Sequence, residues 1–159
     1  FLNLFANLIK RLPVLPLGSP NAKFQPVFIG DIAEVIIASL SISATFGQSY
    51  DLCGPKIYSL RQIVEYVSNI TKHKLSIIGL NDWLSYLQAA CLEILPGKLM
   101  TRDNYLSMKT DSICHCKNEN NLMKKFGIQP TELEEVAPQY LAPNTPRDRY
   151  IGFRDRAGR

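Results

Sequence analysis

The sequence predicts an α/β fold with a few mostly parallel strands and about six or seven helices, and three observations predict it. A short β-branched or aromatic run is followed by a helical pattern three times over. No further strand pattern follows the third repeat. A chain of 159 residues at 46% hydrophobic composition is also long enough to bury one core without covalent staples. Alternation of this kind favours parallel strands joined by right-handed crossovers.

Leu2, Phe5, Ala6, Leu8, Ile9 and Leu12 recur at helical spacing, and Pro13, which has no N–H to donate, stops that opening helix. Pro13 to Lys23 holds three prolines, a glycine and an asparagine, which predicts an ordered loop of a length that often carries function. Gln25 to Gly30 reads as the first strand, with Asp31 as N-cap of a helix over 32–40. Ser49 to Cys53 reads as the second strand; Gly54-Pro55 turns the chain, and Ser59 with Gln62 makes a capping box for a helix through Ile63, Val64, Val67 and Ile70. Leu75 to Leu80 reads as the third strand. Asn81 or Asp82 then caps a helix whose apolar stripe is Trp83, Leu84, Leu87, Cys91 and Leu92, with Trp83 expected in the core.

Beyond Pro96-Gly97 the pattern changes to short helices. Thr101 caps one through Met108, a second covers about 118–126, and Thr131 with Glu134 boxes a third that ends near Tyr140. Residues 1–141 are thus read as the folded portion and 142–159 as a Pro/Arg-rich tail.

The formal net charge is +4, from 18 basic and 14 acidic residues, but the last thirteen residues hold five arginines against two aspartates. The remainder is close to neutral, so the basic face interleaved with aromatics that nucleic-acid binding requires is not expected. No run of about 18 uncharged apolar residues exists to span a membrane. Cys53, Cys91, Cys114 and Cys116 do not have the spacing of a disulfide framework, which predicts reduced thiols and a cytoplasmic setting, with any membrane role peripheral. The chain opens at Phe1 inside a helical pattern, and the expectation is of a piece of a longer protein.

Neither a G-x-G-x-x-G nor a G-x-x-x-x-G-K phosphate cradle occurs, and there is no G-x-S-x-G elbow. His73, between Lys72 and Lys74 at a helix end, reads as a surface histidine. Cys114-His115-Cys116 holds zinc-ligand chemistry but lacks the two-residue spacer that lets neighbouring ligands wrap one ion, so no metal site is expected. Arg102 and Asp103, at the start of the helix capped by Thr101, read either as a surface ion pair with a first-turn acid or as substrate-facing ionic groups.

Three segments in this order, Asn21-Ala-Lys-Phe-Gln-Pro-Val-Phe-Ile-Gly-Asp-Ile-Ala-Glu34, Ser49-Tyr-Asp-Leu-Cys-Gly-Pro-Lys-Ile-Tyr-Ser-Leu-Arg61 and Leu99-Met-Thr-Arg-Asp-Asn104, resemble the C-terminal half of the extended and atypical short-chain dehydrogenases. The resemblance is strongest to the branch of the NAD(P)-binding accessory subunit of respiratory complex I, which includes proteins described as nucleoside-diphosphate-sugar epimerases. It covers about residues 1–141. It implies a Rossmann-like parent whose N-terminal half supplies the glycines and, in active members, a Tyr-x-x-x-Lys pair. Tyr66-Val-Ser-Asn-Ile70 lacks the lysine, and Tyr105-Leu-Ser-Met-Lys109 has the spacing on a late helix, away from the family position. The loop at Lys23, Phe24 and Gln25 resembles the segment where epimerases set an arginine against substrate phosphates; here Phe24 stands in line with that arginine and Lys23 is one residue off.

The resulting expectation is the substrate-side portion of an NAD(P)-binding protein, silent in catalysis by itself. Lys23, Phe24, Gln25 and Arg102 are the candidate substrate-binding residues, with no catalytic residue. NAD or NADP is the cofactor expected for the parent and none for this chain alone. Expected partners are the N-terminal half, a second copy or a respiratory complex, and a small-molecule substrate, with no nucleic acid. The alternative expectation is a structural or assembly protein without turnover.

Overall fold

The computed structural model describes residues 2–94, 100–114 and 122–142. In chain order the elements are α1 (Leu2–Arg11), β1 (Val14–Leu17), β2 (Lys23–Phe24), α2 (Ile29–Leu40), a 3₁₀ turn (Ser43–Thr45), β3 (Tyr58–Ser59), α3 (Leu60–Thr71), β4 (Ser76–Gly79), α4 (Asp82–Ile94), α5 (Arg102–Ser107), α6 (Leu122–Lys125) and α7 (Leu133–Leu141). The α/β class and the number of helices agree with the sequence reading. The chain divides into two compact units, one built from the described parts of 1–23, 58–112 and 137 onward, the other from 24–57 and 113–136.

The larger unit is organised around α3. Its Ser59–Gln62 capping box is formed in both directions, Ser59 Oγ accepting from Gln62 N at 3.2 Å and Gln62 Oε1 accepting from Ser59 N at 2.7 Å. Both caps satisfy groups that the first turn leaves without partners. From there Leu60, Ile63, Val64 and Val67 turn inward and are fully buried, and α1 packs on α3 through Phe5, Ala6 and Ile9. Lys72 closes α3 in the left-handed conformation at φ 57°.

The Pro-rich segment after α1 is not all loop. Val14–Leu17 forms a strand that pairs in parallel with Ser76–Gly79, Val14 opposite Ser76 and Leu17 opposite Gly79. A two-stranded pair consists only of edges, where Pro16 is tolerated because its missing N–H need not face a ladder. Leu15 and Leu17 point to the core while Val14 is exposed. A second pair joins β2 with β3.

Among the described residues the expected strands over Gln25–Gly30 and Ser49–Cys53 do not form ladders, and Asp51 makes an isolated bridge. The two segments do meet: a Cβ on Gly54 would lie 1.7 Å from the Pro26 carbonyl oxygen, so only glycine fits there. Pro26 has no N–H to donate across the gap, and the Gln25 side chain bonds Gly54 O instead, at 2.7 Å. Val27, Tyr50 and Leu52 still pack inward, on a cluster of Val35 and Met123.

Three further readings change. Helix α2 begins at Ile29, with Phe28 at its cap, so Asp31 lies in the first turn rather than capping it. Thr131 does not box α7, because its hydroxyl is bonded to Asp31. Cys53 and Cys114 are joined as a disulfide with Cα atoms 6.1 Å apart, against the expectation of reduced thiols; they are 61 residues apart, and only the fold makes them neighbours.

Trp83 is also reversed, being 70% exposed. Asn81 caps α4 as expected, accepting from Leu84 N at 2.9 Å, but α4 turns Ser85 and Ala89 inward and Trp83, Leu84, Leu87 and Cys91 outward. The cause is a close backbone approach. Gly18 lies against Ser85 and Gln88, Ser19 N donates to Ser85 Oγ, and Gln88 Nε2 donates to Pro16 O, which leaves room only for small side chains on that face.

Candidate functional site

In the larger unit the candidate residues are Lys23 and Arg102. Lys23 is exposed and its backbone is fixed at both ends, N donating to Asp111 Oδ1 at 3.1 Å and O accepting from Ser112 N at 2.8 Å. The ammonium is thereby held at the surface on a well-fastened strand. Arg102 opens α5, where Thr101 Oγ1 accepts from Asn104 N at 3.2 Å as the sequence predicts. Its guanidinium donates through Nε to Glu93 Oε2 at 2.9 Å, and its backbone N reaches the same carboxylate. The hydrogen bond to Glu93, with Tyr86 adding to it, raises the Arg102 pKa further above its ordinary range. The structure brings Arg102 to an acid on the neighbouring helix and does not hydrogen-bond it to Lys23.

In the other unit Phe24 and Gln25 are both half-buried. Gln25 is engaged at both ends of its amide: Nε2 donates to Gly54 O at 2.7 Å and Oε1 accepts from Cys114 N at 3.0 Å. Its side chain joins two loops. The sequence offered a weak signal for this, a long amide directly before a proline that cannot donate.

Asp31 is the polar residue whose setting the sequence missed. It is 6% exposed, and its carboxylate accepts from Thr131 N and Thr131 Oγ1, each at 2.7 Å. The first turn of α2 adds favourable partial charge around an anion. The signal was present as one carboxylate amid Ile29, Ile32 and Val35.

The Tyr105-x-x-x-Lys109 spacing does bring its two residues together, with Lys109 Nζ 5.1 Å from the Tyr105 ring centroid. The Lys109 pKa is raised, first by its hydrogen bond to Tyr105, then by the charge field there, including Asp82. Yet Tyr105 is buried, and its hydroxyl donates to Asp82 O at 3.2 Å. A phenol closed off from substrate cannot serve as a general acid.

His73 is exposed, with Nδ1 2.7 Å from Thr71 O. Cys114 is in the disulfide, while His115 and Cys116 lie outside the described residues, as does the arginine tail. Among the described residues no group of His, Cys, Asp or Glu could hold a metal ion, and no helix is long and apolar enough to cross a membrane.

No family model matches the chain. Over 73 residues it is 32% identical to NADH dehydrogenase (ubiquinone) 1 alpha subcomplex subunit 9, mitochondrial, of Arabidopsis thaliana, a stretch that covers 45% of this chain and 18% of that protein. The same subunit of Dictyostelium discoideum is 24% identical over 95 residues, covering 58% of this chain and 27% of that protein. Among solved structures, Citrobacter sp. triphenylmethane reductase superposes with a TM-score of 0.60 at 14% identity, covering 88% of this chain and 47% of the reductase. A nucleoside-diphosphate-sugar epimerase of Staphylococcus aureus superposes at 0.56 and 16% identity, covering 84% of this chain and 44% of the epimerase. These findings agree with the resemblance read from the sequence, and the fold is the Rossmann-like one of reductase and epimerase. The chain spans less than half the length of each solved relative, and the matched stretches are smaller fractions still of the curated ones.

Proposed function

We propose that this chain is the substrate-side portion of an NAD(P)-binding short-chain-dehydrogenase-like protein that serves a respiratory NADH dehydrogenase as an accessory component without turnover of its own. The observation that carries this reading is the 32% identity, over 73 residues, to a subunit of that enzyme. The side-chain chemistry favours the accessory role over an enzymatic one. Tyr105 is buried and bonded, Gln25 is engaged at both ends and Arg102 is paired to Glu93. Of the candidate substrate-binding residues, Lys23 is the exposed cation that remains to meet an anionic ligand. NAD or NADP would be held by segments that this sequence does not contain, since it has no phosphate cradle.

In this reading the protein is peripheral to the membrane that carries the complex. The experiment is a deletion of the gene followed by native electrophoresis of the respiratory complex. Loss or mobility shift of the assembled complex, restored by the wild-type gene and by a Tyr105→Phe variant, is the expected result. Normal assembly together with a new metabolic block would instead favour an enzyme. Calorimetry on the 159-residue chain should detect no dinucleotide binding; a micromolar Kd would overturn the assignment of cofactor binding to other segments.

A further inference from the structure

The smaller unit is built from the described parts of 24–57 and 113–136, and among those residues few apolar side chains are fully buried; Val35 and Met123 form a cluster. Its ties are therefore chiefly polar and covalent. Two of them cross the same gap. The disulfide joins Cys53 to Cys114, and the Gln25 amide joins Gly54 O to Cys114 N, so one covalent and one hydrogen-bonded bridge connect the same two loops. Cys53 is 5% exposed, whereas Cys114 is half-buried, so Cys114 is the more accessible of the two to an external thiol.

We propose that Cys53–Cys114 is a reversible redox latch, opened and closed by a dithiol/disulfide couple, that fastens the loop at Cys114 onto the loop at Cys53. The thiolate of the reducing dithiol attacks Cys114 Sγ; the S–S bond breaks, and Cys53 leaves as a thiolate and takes up a proton. The second thiol of the dithiol then displaces Cys114 from the mixed disulfide, so that the dithiol becomes a disulfide and both cysteines become thiols. The Gln25 bridge survives this step. It keeps the two thiols close, ready for the reverse reaction when the couple is oxidised, and this makes the latch reversible rather than a one-way break.

The test begins with the full chain purified in an alkylating agent without reductant, then digested for mass spectrometry. A Cys53–Cys114 cross-linked peptide is expected, with the exposed Cys91 alkylated. Dithiothreitol should free both cysteines and lower Tm by roughly 10 °C, as expected for opening a closed loop of this length in a domain of this size. Oxidised glutathione should restore both the cross-link and the Tm. Cys114→Ser, at the half-buried position, should show the lower Tm with or without dithiothreitol; Cys53→Ala serves as the second variant should the first fail to fold. Gln25→Ala should lower Tm little in the oxidised chain and more in the reduced one, and should slow reoxidation. Both cysteines alkylated without reductant, a Tm that dithiothreitol leaves unchanged, or a reduced chain that does not re-form this bond would each overturn the proposal.

Discussion

The two units solve the same problem by different means. In the larger one, Phe5 and Ile9, Leu15 and Leu17, and Leu60 to Val67 bury a continuous apolar core, and its polar contacts mostly serve caps and turns. In the smaller one the ties among the described residues include the disulfide, the Gln25 bridge, the Asp31–Thr131 pair and the Lys56–Glu132 ion pair beside a small Val35–Met123 cluster. The same difference shows on the surface. Helix α2 buries Asp31 and Val35, while Ile29, Ile36, Ile37 and Leu40 form an outward stripe, each of them more than half exposed. A contiguous apolar stripe on a helix is normally covered. A unit with too little core relies on specific bonds, and those bonds are easy to lose one at a time.

The largest effect should come from the larger unit. Leu60→Ala removes a fully buried side chain where α3 begins and should cost about 3–4 kcal/mol, against about 1–2 kcal/mol for Val35→Ala, whose neighbours are partly exposed and can close in. Urea denaturation of both variants checks this. Equal losses would break the comparison, since they would mean that the smaller unit also depends on its core.

Asp31 comes next. Asp31→Asn keeps the volume and can keep both contacts, because the Thr131 hydroxyl can turn to accept from the amide, but two charge-assisted hydrogen bonds become neutral ones, which should cost about 2 kcal/mol. Thr131→Val, which retains the backbone N–H bond and loses only the hydroxyl, should cost about half as much by the same reasoning. Chemical denaturation of the two variants orders them. A loss from Thr131→Val that matched the loss from Asp31→Asn would place the energy in the hydroxyl alone.

These residues also mark what the sequence could convey. The Ser59–Gln62 box, the Thr101 cap, the Pro13 stop and the β4 strand were legible because each depends on residues a few positions apart. The misses all concern long-range matters. Periodicity found an apolar stripe on α4 but assigned its Trp83 to the core, because it could not show that Gly18 and Ser19 would press on the small face and turn Trp83 outward. The β-branched runs at Val27 and Tyr50 promised strands, but Pro26 withholds the N–H that a ladder needs there. Asp31 has the residue type of a cap, and its partner lies 100 residues away. For the candidate site, Lys23 is exposed as a lysine ordinarily is, while the double engagement of Gln25 depends on two loops that only the fold assembles.

The α2 stripe gives a smaller stability effect with a larger effect on association. Ile36→Gln combined with Ile37→Glu changes side chains that are already in water, so folding free energy should move by no more than about 0.5 kcal/mol. Apolar helix faces left in water associate, and sedimentation should therefore show the wild-type chain as larger species at micromolar concentration and the double variant as monomer. A wild-type monomer in that experiment would mean that the stripe needs no cover, and would remove the contrast drawn from it.

The smallest effect belongs to Lys56. Its Nζ lies 2.6 Å from Glu132 Oε2, with side chains 48% and 39% exposed, so water and salt weaken the pair. The hydrogen bond to Glu132, followed by the charges of Glu132, Glu134 and Glu135, raises the Lys56 pKa above its ordinary 10.5. A raised lysine pKa means that the folded state holds the proton more tightly than the unfolded chain does. The pair's contribution is then fully present below the unfolded pKa and is lost as pH rises through the folded one. Denaturation of wild type and Lys56→Gln should accordingly differ slightly at about pH 9 and converge by about pH 12, with added salt narrowing the gap at the lower pH. A gap that persisted at the upper pH would locate the contribution in the packing of the lysine stem rather than in its charge, leaving the smaller unit with one electrostatic tie fewer than its contrast with the larger unit assumes.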